Sequence, residues 1–383
     1  MRRLPKPIPR EKLLPLLHDV PEGVFTPVFT QACEVVDLFV GDCLAHLVHE
    51  LALGGFSGSP EDLAHQRGYS AHKTPMLHLL LDCLELYGLA RCDDKTYEVA
   101  LPAGHEPLPQ RYHHWVGVAP TAEPALAVQR LGAEVFPRVL SGELSGEEAL
   151  FSLAHLDLWF SYFSNANVHY APTNSLAALA LSRSVGKHAR ILELGGGGGS
   201  AAEAAFASLL ATDQAPALYV FTEVHPAFLR RGGRLVRQLA PPSCRLEIRP
   251  YDINLTPEEQ GLSPQEFDAV FAVNVLHLAA HLVEALTQLR RLLVPGGALV
   301  LGELIRPCFS APVHLELPFA LLQSYQQVQL APRVRTRPGF LCLQGWQNAL
   351  HEAGFDEVHV LPAALQECFA HYPGFYCAAL VAR

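Results

Sequence analysis

From Ala189 to Glu303 the chain alternates short apolar runs with segments of helical period, and no other feature limits its fold as tightly. The runs are ARILEL at 189–194, ALYVF at 217–221, CRLEI at 244–248, DAVFAVN at 268–274 and GALVLGE at 297–303. Helical segments lie between them around 200–211, 226–240 and 278–293, the last with Leu278, Leu282, Leu286 and Leu289 on one face. Strands joined through helices pair in parallel by right-handed crossovers, so the pattern predicts an α/β fold built on a parallel sheet. Farther on, GWQNALHEAGF reads as a helix capped by Gly354, and EVHVLP and FYCAALVA as two closely spaced strands suited to an antiparallel edge.

The first hundred residues have a different texture. Val36, Phe39, Cys43, Leu47 and Leu51 recur at helical steps, Ser59-Pro60-Glu61-Asp62 is a helix start, and Thr74-Pro75 opens another helix with Leu77, Leu80, Leu81 and Leu84 on its apolar face. GLARCDDKTYEVA then places Asp93-Asp94-Lys95 between two strand-like runs, which predicts a hairpin. Helix, short helix, longer helix and hairpin is the order of a winged helix. The segment that would read DNA in such a module, MLHLLLDCLELYG, has no Arg or Lys and a broad leucine face, so it is expected to pack or dimerise instead. Prolines at 102, 107, 109, 120 and 124 mark a boundary, beyond which 125–185 reads as helical and includes the aromatic stretch HLDLWFSYFSNANVHY at 155–170. The expected organisation is a winged-helix, dimerisation-like domain over 1–104, a helical connector and lid over 105–185, and a cofactor-binding sheet domain over 186–383.

Charge narrows the function classes. With 28 Lys and Arg against 38 Asp and Glu, the net charge of −10 repels phosphate backbones, so no nucleic-acid partner is expected. The nine cysteines are scattered without a CxxC pair, which argues for buried thiols in a reducing cytoplasm and against a disulfide framework or a metal site. The opening MRRLPKPIPREKLLPLLHDV lacks the continuous apolar segment of a signal peptide, and no run is long enough to span a bilayer, so a cytoplasmic protein without a membrane partner is expected.

The chemistry concentrates at the ends of the strands. ARILEL runs into Glu193-Leu194-Gly195-Gly196-Gly197-Gly198-Gly199-Ser200, a turn that lets a ligand approach the backbone at a helix N-terminus. A dinucleotide fingerprint starting at Gly195 fails at Ser200, and one starting at Gly196 needs the looser form ending at Ala201. The alternative E-x-G-x-G-x-G is met by Glu193, Gly195, Gly197 and Gly199. Strand two is followed by Thr222-Glu223, a carboxylate suited to the two hydroxyls of an adenosine ribose, and strand three by Tyr251-Asp252, suited to an adenine amino group. Strand four ends in Asn274-Val275-Leu276-His277, and strand five enters through Pro-Gly-Gly and ends at Glu303.

This ordered set resembles the class I S-adenosylmethionine-dependent methyltransferases. The resemblance implies a Rossmann-like seven-stranded sheet, S-adenosyl-L-methionine as cofactor, and Glu193, Gly195, Gly197, Gly199, Glu223, Asp252 and Asn274 as its binding residues. YDINLTPEEQG, FDAVFAVNVLH and LRRLLVPGGALVLGE, within about 189–360, further resemble the C-methyltransferase domains of polyketide synthases, whose catalytic His-Glu dyad falls here on His277 and Glu303. The N-terminal module resembles the dimerisation domain of plant-type small-molecule O-methyltransferases, whose V-L-H and strand-five Glu match the same pair. The resemblance thus implies methyl transfer to the α-carbon of a β-ketoacyl thioester, or alternatively to a hydroxyl or enol oxygen. The acceptor would be a small molecule or an acyl-carrier-protein-bound intermediate, and the protein a homodimer. Phe160, Tyr162, Phe163, His169, His314, Phe319 and Tyr325 are candidate pocket residues. The basic run Arg333, Arg335, Arg337 is either a contact for a carrier's phosphopantetheine or acidic face, or a solvated loop.

Overall fold

The computed structural model describes residues 10–104, 106–313, 315–372 and 375–383. The helix Pro27–Glu50 starts where the Thr26 side chain accepts the Phe29 N–H at 3.2 Å. Strand β1 (Ser57–Gly58) precedes the helix Pro60–Arg67, which has a reciprocal capping box between Ser59 and Asp62 and a left-handed Gly68 at its end. The helix Thr74–Leu86 leads into β2 (Ala90–Asp93) and β3 (Thr96–Val99), and the two-residue turn between these strands has both Asp94 and Lys95 at positive φ, as a type I′ hairpin requires. The order of this small antiparallel sheet is β1-β3-β2.

Leu77, Leu80, Leu81 and Leu84, the apolar face expected to pack or dimerise, are all buried within the single chain. The helix Pro27–Glu50 is likewise buried on most of its circumference, packing on the helix Glu123–Leu140. Most of the leucine face is therefore packed against the chain's own elements, while Leu86 at the end of the same helix is 49% exposed.

Helices then fill residues 108–184, ending with Leu156–Tyr162 and Ala171–Ser184. The large sheet comprises β4 (Arg190–Leu194), β5 (Leu218–Thr222), β6 (Arg245–Arg249), β7 (Phe267–Val273), β8 (Leu293–Leu304), β9 (Val358–Leu361) and β10 (Cys377–Ala382). Its order is β6-β5-β4-β7-β8-β10-β9, parallel from β6 to β8, with β10 inserted antiparallel between β8 and β9. This is the seven-stranded sheet of the class I methyltransferase fold. The helices Ser200–Ala211, Pro226–Leu239 and Leu282–Leu292 make the crossovers. The last starts later than its leucine pattern predicts, because Asn274 takes a left-handed φ of 54° and a short turn, Leu276–Leu278, intervenes. Among the described residues no helix is long and apolar enough to cross a membrane.

Two features of the sheet position the site. From β4 the chain proceeds to β5 and β6 on one side and returns to β7 and β8 on the other, so a crevice opens at the carboxyl end of β4, between neighbours fed in opposite directions. Gly302 lets the helix Ala171–Ser184 cross β8 closely: a Cβ there would lie 2.8 Å from Ala177 Cβ. The following residue, Glu303, faces the other side of the strand and is fully buried.

Candidate active site

The glycine turn is closed at its base and open at its tip. Gly195, Gly197 and Gly199 all have positive φ, at 56°, 55° and 93°. A Cβ on Gly195 would stand 2.5 Å from Val275 Cγ2, and one on Gly196 2.2 Å from the Phe221 ring. At Gly197 and Gly198 nothing lies closer than 3.8 Å, so the open space begins there. The next residues start the helix Ser200–Ala211, whose first N–H groups face that space. Asn165 steadies this corner, donating to Ser200 O and Glu203 Oε2, both at 2.8 Å.

Of the three acids predicted for the cofactor, Glu193 and Glu223 lie at the turn and Asp252 lines a cavity beyond the next strand. Glu193 is buried, and its Oε2 accepts from the Tyr219 hydroxyl at 3.0 Å while Oε1 has no partner. Burial pushes this carboxyl up to about 8. Glu223 accepts the Gly197 N–H at 3.0 Å through Oε2 and the His225 N–H at 2.8 Å through Oε1, which holds it over the tip of the turn. Asp252 is fixed by the Asn254 N–H, donated to Oδ1 at 2.9 Å, and lines an open cavity of about 420 Å³ with Val224, Tyr251 and Leu255. Val224 and Leu255 are 62% and 51% exposed there, large apolar groups left uncovered beside a carboxylate, as the faces and amino edge of a purine require. Asn274 lies at the same crevice, but its Oδ1 accepts the Leu304 N–H at 3.2 Å and its side chain also bonds to Tyr170. It ties the strand ends together.

The donor set fits S-adenosyl-L-methionine. Glu193 has an orphaned buried oxygen to meet an ammonium, Glu223 stands beside open backbone at the turn, and the cavity at Asp252 is flanked by apolar groups. Among the described residues no group of three or more His, Cys, Asp or Glu is arranged to hold a metal.

His277 and Glu303, brought together by the ends of β7 and β8, form a hydrogen bond of 2.8 Å between Nδ1 and Oε2. Both are buried, and Glu303 Oε1 has no partner. Engaging Nδ1 leaves Nε2 as the ring's basic position. Phe340 and Tyr325 wall the ring at centroid distances of 4.4 and 6.0 Å.

Of the candidate pocket residues, Phe160, Tyr162, Phe163, Phe319 and Tyr325 join one aromatic cluster. Phe160 lies against Phe228 and faces Gly198, Tyr162 touches Phe319, and Phe319 stacks on Tyr325 at 6.3 Å. His169 belongs elsewhere: its Nε2 is bonded to the Tyr376 hydroxyl within the buried layer under β10. His314 lies outside the described residues. The arginines of 333–337 form no common patch either. Arg333 is exposed, Arg335 is buried with Nη1 and Nη2 donating to His277 O and Ala279 O at 2.8 Å, and Arg337 pairs with Asp82 of the winged-helix module.

Sequence reasoning missed Glu316. Its buried carboxylate accepts from Arg306 Nε at 3.1 Å, from the Val313 and Phe340 N–H groups at 3.0 Å each, and from the Tyr325 hydroxyl. It therefore anchors both rings that flank His277. Arg335 was visible only as part of a charge run, and nothing local to Glu316 marks it.

Known proteins share parts of this sequence and this fold. Residues 192–299 match the family described as a methyltransferase domain. The chain is 32% identical over 174 residues to the highly reducing polyketide synthase PKS2 of Leptosphaeria maculans, a match covering 45% of this chain and 6% of that protein. It spans between 6% and 9% of the length of the first curated relatives it matches. The CurJ carbon methyltransferase shares the fold with a TM-score of 0.76 at 20% identity, over 97% of this chain and 96% of that chain. The trans-methyltransferase CalH, solved with SAH, shares it with a TM-score of 0.65 at 20% identity, over 91% and 90%. The chain thus carries a match to a methyltransferase domain over residues 192–299 on a sheet that shares the fold of these methyltransferases. Its relatives in sequence include segments of polyketide synthases, among them the lovastatin diketide synthase lovF of Aspergillus terreus, 29% identical over 242 residues, 63% of this chain and 9% of that protein.

Proposed function

We propose that this chain methylates the α-carbon of a β-ketoacyl thioester held on an acyl carrier protein, with His277 as general base. The observation that carries the reading is the His277–Glu303 pair, buried at the carboxyl edge of the sheet under an aromatic roof. A proton on carbon between two carbonyls is acidic enough for an imidazole once water is excluded and the base is held in place. His277 Nε2 takes that proton, and Glu303 stabilises the imidazolium that results. S-adenosyl-L-methionine supplies a methyl group on a sulfonium and leaves as a neutral thioether. The carbon keeps the electron pair released by deprotonation and forms the new C–C bond with it, and His277 then returns its proton to water. The glycine turn and the aromatic cluster provide the in-line placement on which most of the acceleration depends.

The deciding experiment is incubation with methyl-labelled cofactor, an acetoacetyl-loaded carrier protein and a hydroxylated aromatic acceptor, followed by fragmentation mass spectrometry. Label on the α-carbon is expected. Label on oxygen alone would overturn the reading in favour of O-methylation.

A further inference from the structure

The helix Pro226–Leu239 carries the sequence PAFLRRGGRLVRQL, with four arginines and no acid, in a chain of net charge −10. Arg230, Arg231, Arg234 and Arg237 are all exposed, and none makes a hydrogen bond or ion pair among the described residues. At 100° per residue, Arg230, Arg234 and Arg237 fall within a stripe about 60° wide and about 10 Å long, with Arg231 on its flank. The opposite face is pressed onto the cofactor turn: a Cβ on Gly232 would lie 2.5 Å from the Gly197 carbonyl oxygen and from the Phe221 ring. The stripe is thus rigidly indexed to the active site.

It is also continuous with the aromatic cluster beside the turn. The Arg231 guanidinium lies 4.3 Å above the Phe160 ring, and Phe160 faces Gly198 at the open tip of the turn. Ring contacts run on through Phe228 to Phe163 and Tyr170, at 5.0, 6.2 and 5.5 Å, and Tyr170 bonds to Asn274 three residues before His277. A partner seated on the arginines would therefore sit at one end of a run of packed aromatic rings that reaches the strand end carrying Asn274.

We infer that the face formed by Arg230, Arg231, Arg234 and Arg237 docks an acidic carrier protein and so delivers the tethered acceptor to the aromatic cluster. This rests on the carrier-held acceptor proposed above. The charge pattern favours an acidic protein over nucleic acid, because the stripe is short and the rest of the chain repels a long phosphate track. Exposed charges of this kind act mainly on encounter rate and orientation, so their effect is read in KM and in salt dependence.

The test compares wild type, the triple variant Arg230→Glu/Arg234→Glu/Arg237→Glu and the matching triple Lys variant. Acetoacetyl-loaded carrier protein and a small soluble acetoacetyl thioester serve as alternative acceptors. Wild type is expected to prefer the loaded carrier, with a kcat/KM that falls as salt rises. The Glu variant should raise KM for the carrier at least tenfold and lose the salt dependence, and the Lys variant should stay near wild type. All three should treat the soluble thioester alike within twofold, which shows that the fold and the chemistry are intact. Unchanged carrier KM in the Glu variant overturns the docking surface while leaving the reaction assignment standing. Failure of wild type with both acceptors overturns the reaction itself. Tight RNA binding that only the Glu variant loses, with carrier kinetics unchanged, would assign the stripe to nucleic acid and refute the inference.

Discussion

Glu193, at the base of the glycine turn, links pH to folding with a sign that can be measured. The carboxyl is enclosed, has one unmet oxygen, and is pushed by burial to about 8. An acid that holds its proton more tightly in the folded chain stabilises the fold fully below its unfolded pKa of about 4.3, and that contribution is lost as the pH rises toward the folded value. Inside this window each pH unit costs about 1.4 kcal/mol, so moving from about pH 5 to about pH 7.5 removes roughly 3 kcal/mol through this one group. With an unfolding entropy of about 2.1 cal/mol/K per residue, a 383-residue chain loses roughly 4 °C of Tm over that range from Glu193 alone.

The perturbation is Glu193→Gln, which keeps an acceptor for the Tyr219 hydroxyl and abolishes the titration. The amide leaves a buried N–H unmet at the orphaned position, a cost of about 1–3 kcal/mol that does not vary with pH. The informative quantity is therefore the Tm difference between variant and wild type followed from about pH 5 to about pH 7.5 by thermal shift, where the variant should gain about 4 °C on wild type. Cofactor binding provides a second readout. An ammonium placed at the orphaned oxygen ionises Glu193, so calorimetry in buffers of different ionisation enthalpy should count up to about one proton released on binding below about pH 8. A Tm difference that stays flat across the range, together with no proton release, would refute both the burial argument and the placement of the ammonium.

The other predictions follow from the same contacts. His277→Ala should lower methyl transfer by about 10²–10⁴-fold with cofactor affinity nearly unchanged in equilibrium dialysis; equal loss of both would make His277 structural. Gly196→Ala drives a methyl into the Phe221 ring and should cost about 1–3 kcal/mol in urea unfolding together with most cofactor affinity. Glu316→Gln breaks the buried pair with Arg306 and should cost about 3–5 kcal/mol, with turnover falling further than cofactor binding because Tyr325 and Phe340 lose their anchor. Arg335→Met frees the two carbonyls at His277 and Ala279 and should lower kcat about tenfold or more without changing cofactor affinity, whereas Arg335→Lys should recover part of the loss.

Local pattern foretold the strands and helices of the sheet because alternation, caps and glycines are properties of neighbouring residues. The pairing of His277 with Glu303 was also legible, since parallel strands place their carboxyl ends side by side and each residue sits at such an end. What escaped was burial contributed by distant segments. The run Arg333, Arg335, Arg337 reads as one solvated charge cluster, yet the fold buries its middle member against the His277 turn and ties its last to another module. The helix Pro226–Leu239 reads as an ordinary crossover, and only the close approach of Gly232 to Gly197 shows that its arginines are held at the cofactor turn.

The winged-helix module acquires a role from these distant contacts. Its long leucine-rich segment is consumed as core, and the polar residue that interrupts it, Asp82, accepts both from Tyr97 on β3 and from Arg337. Arg337 lies three residues before Phe340, whose ring rests on His277 and whose N–H is held by Glu316. On the connector, the Glu147 carboxylate accepts the Gln323 N–H at 2.8 Å, two residues before Tyr325. Both rings over the dyad are therefore tethered from outside the sheet domain, one by the module through Asp82 and one by the connector through Glu147. The N-terminal helices and hairpin thus reach, through Asp82, the segment that carries the ring beside His277.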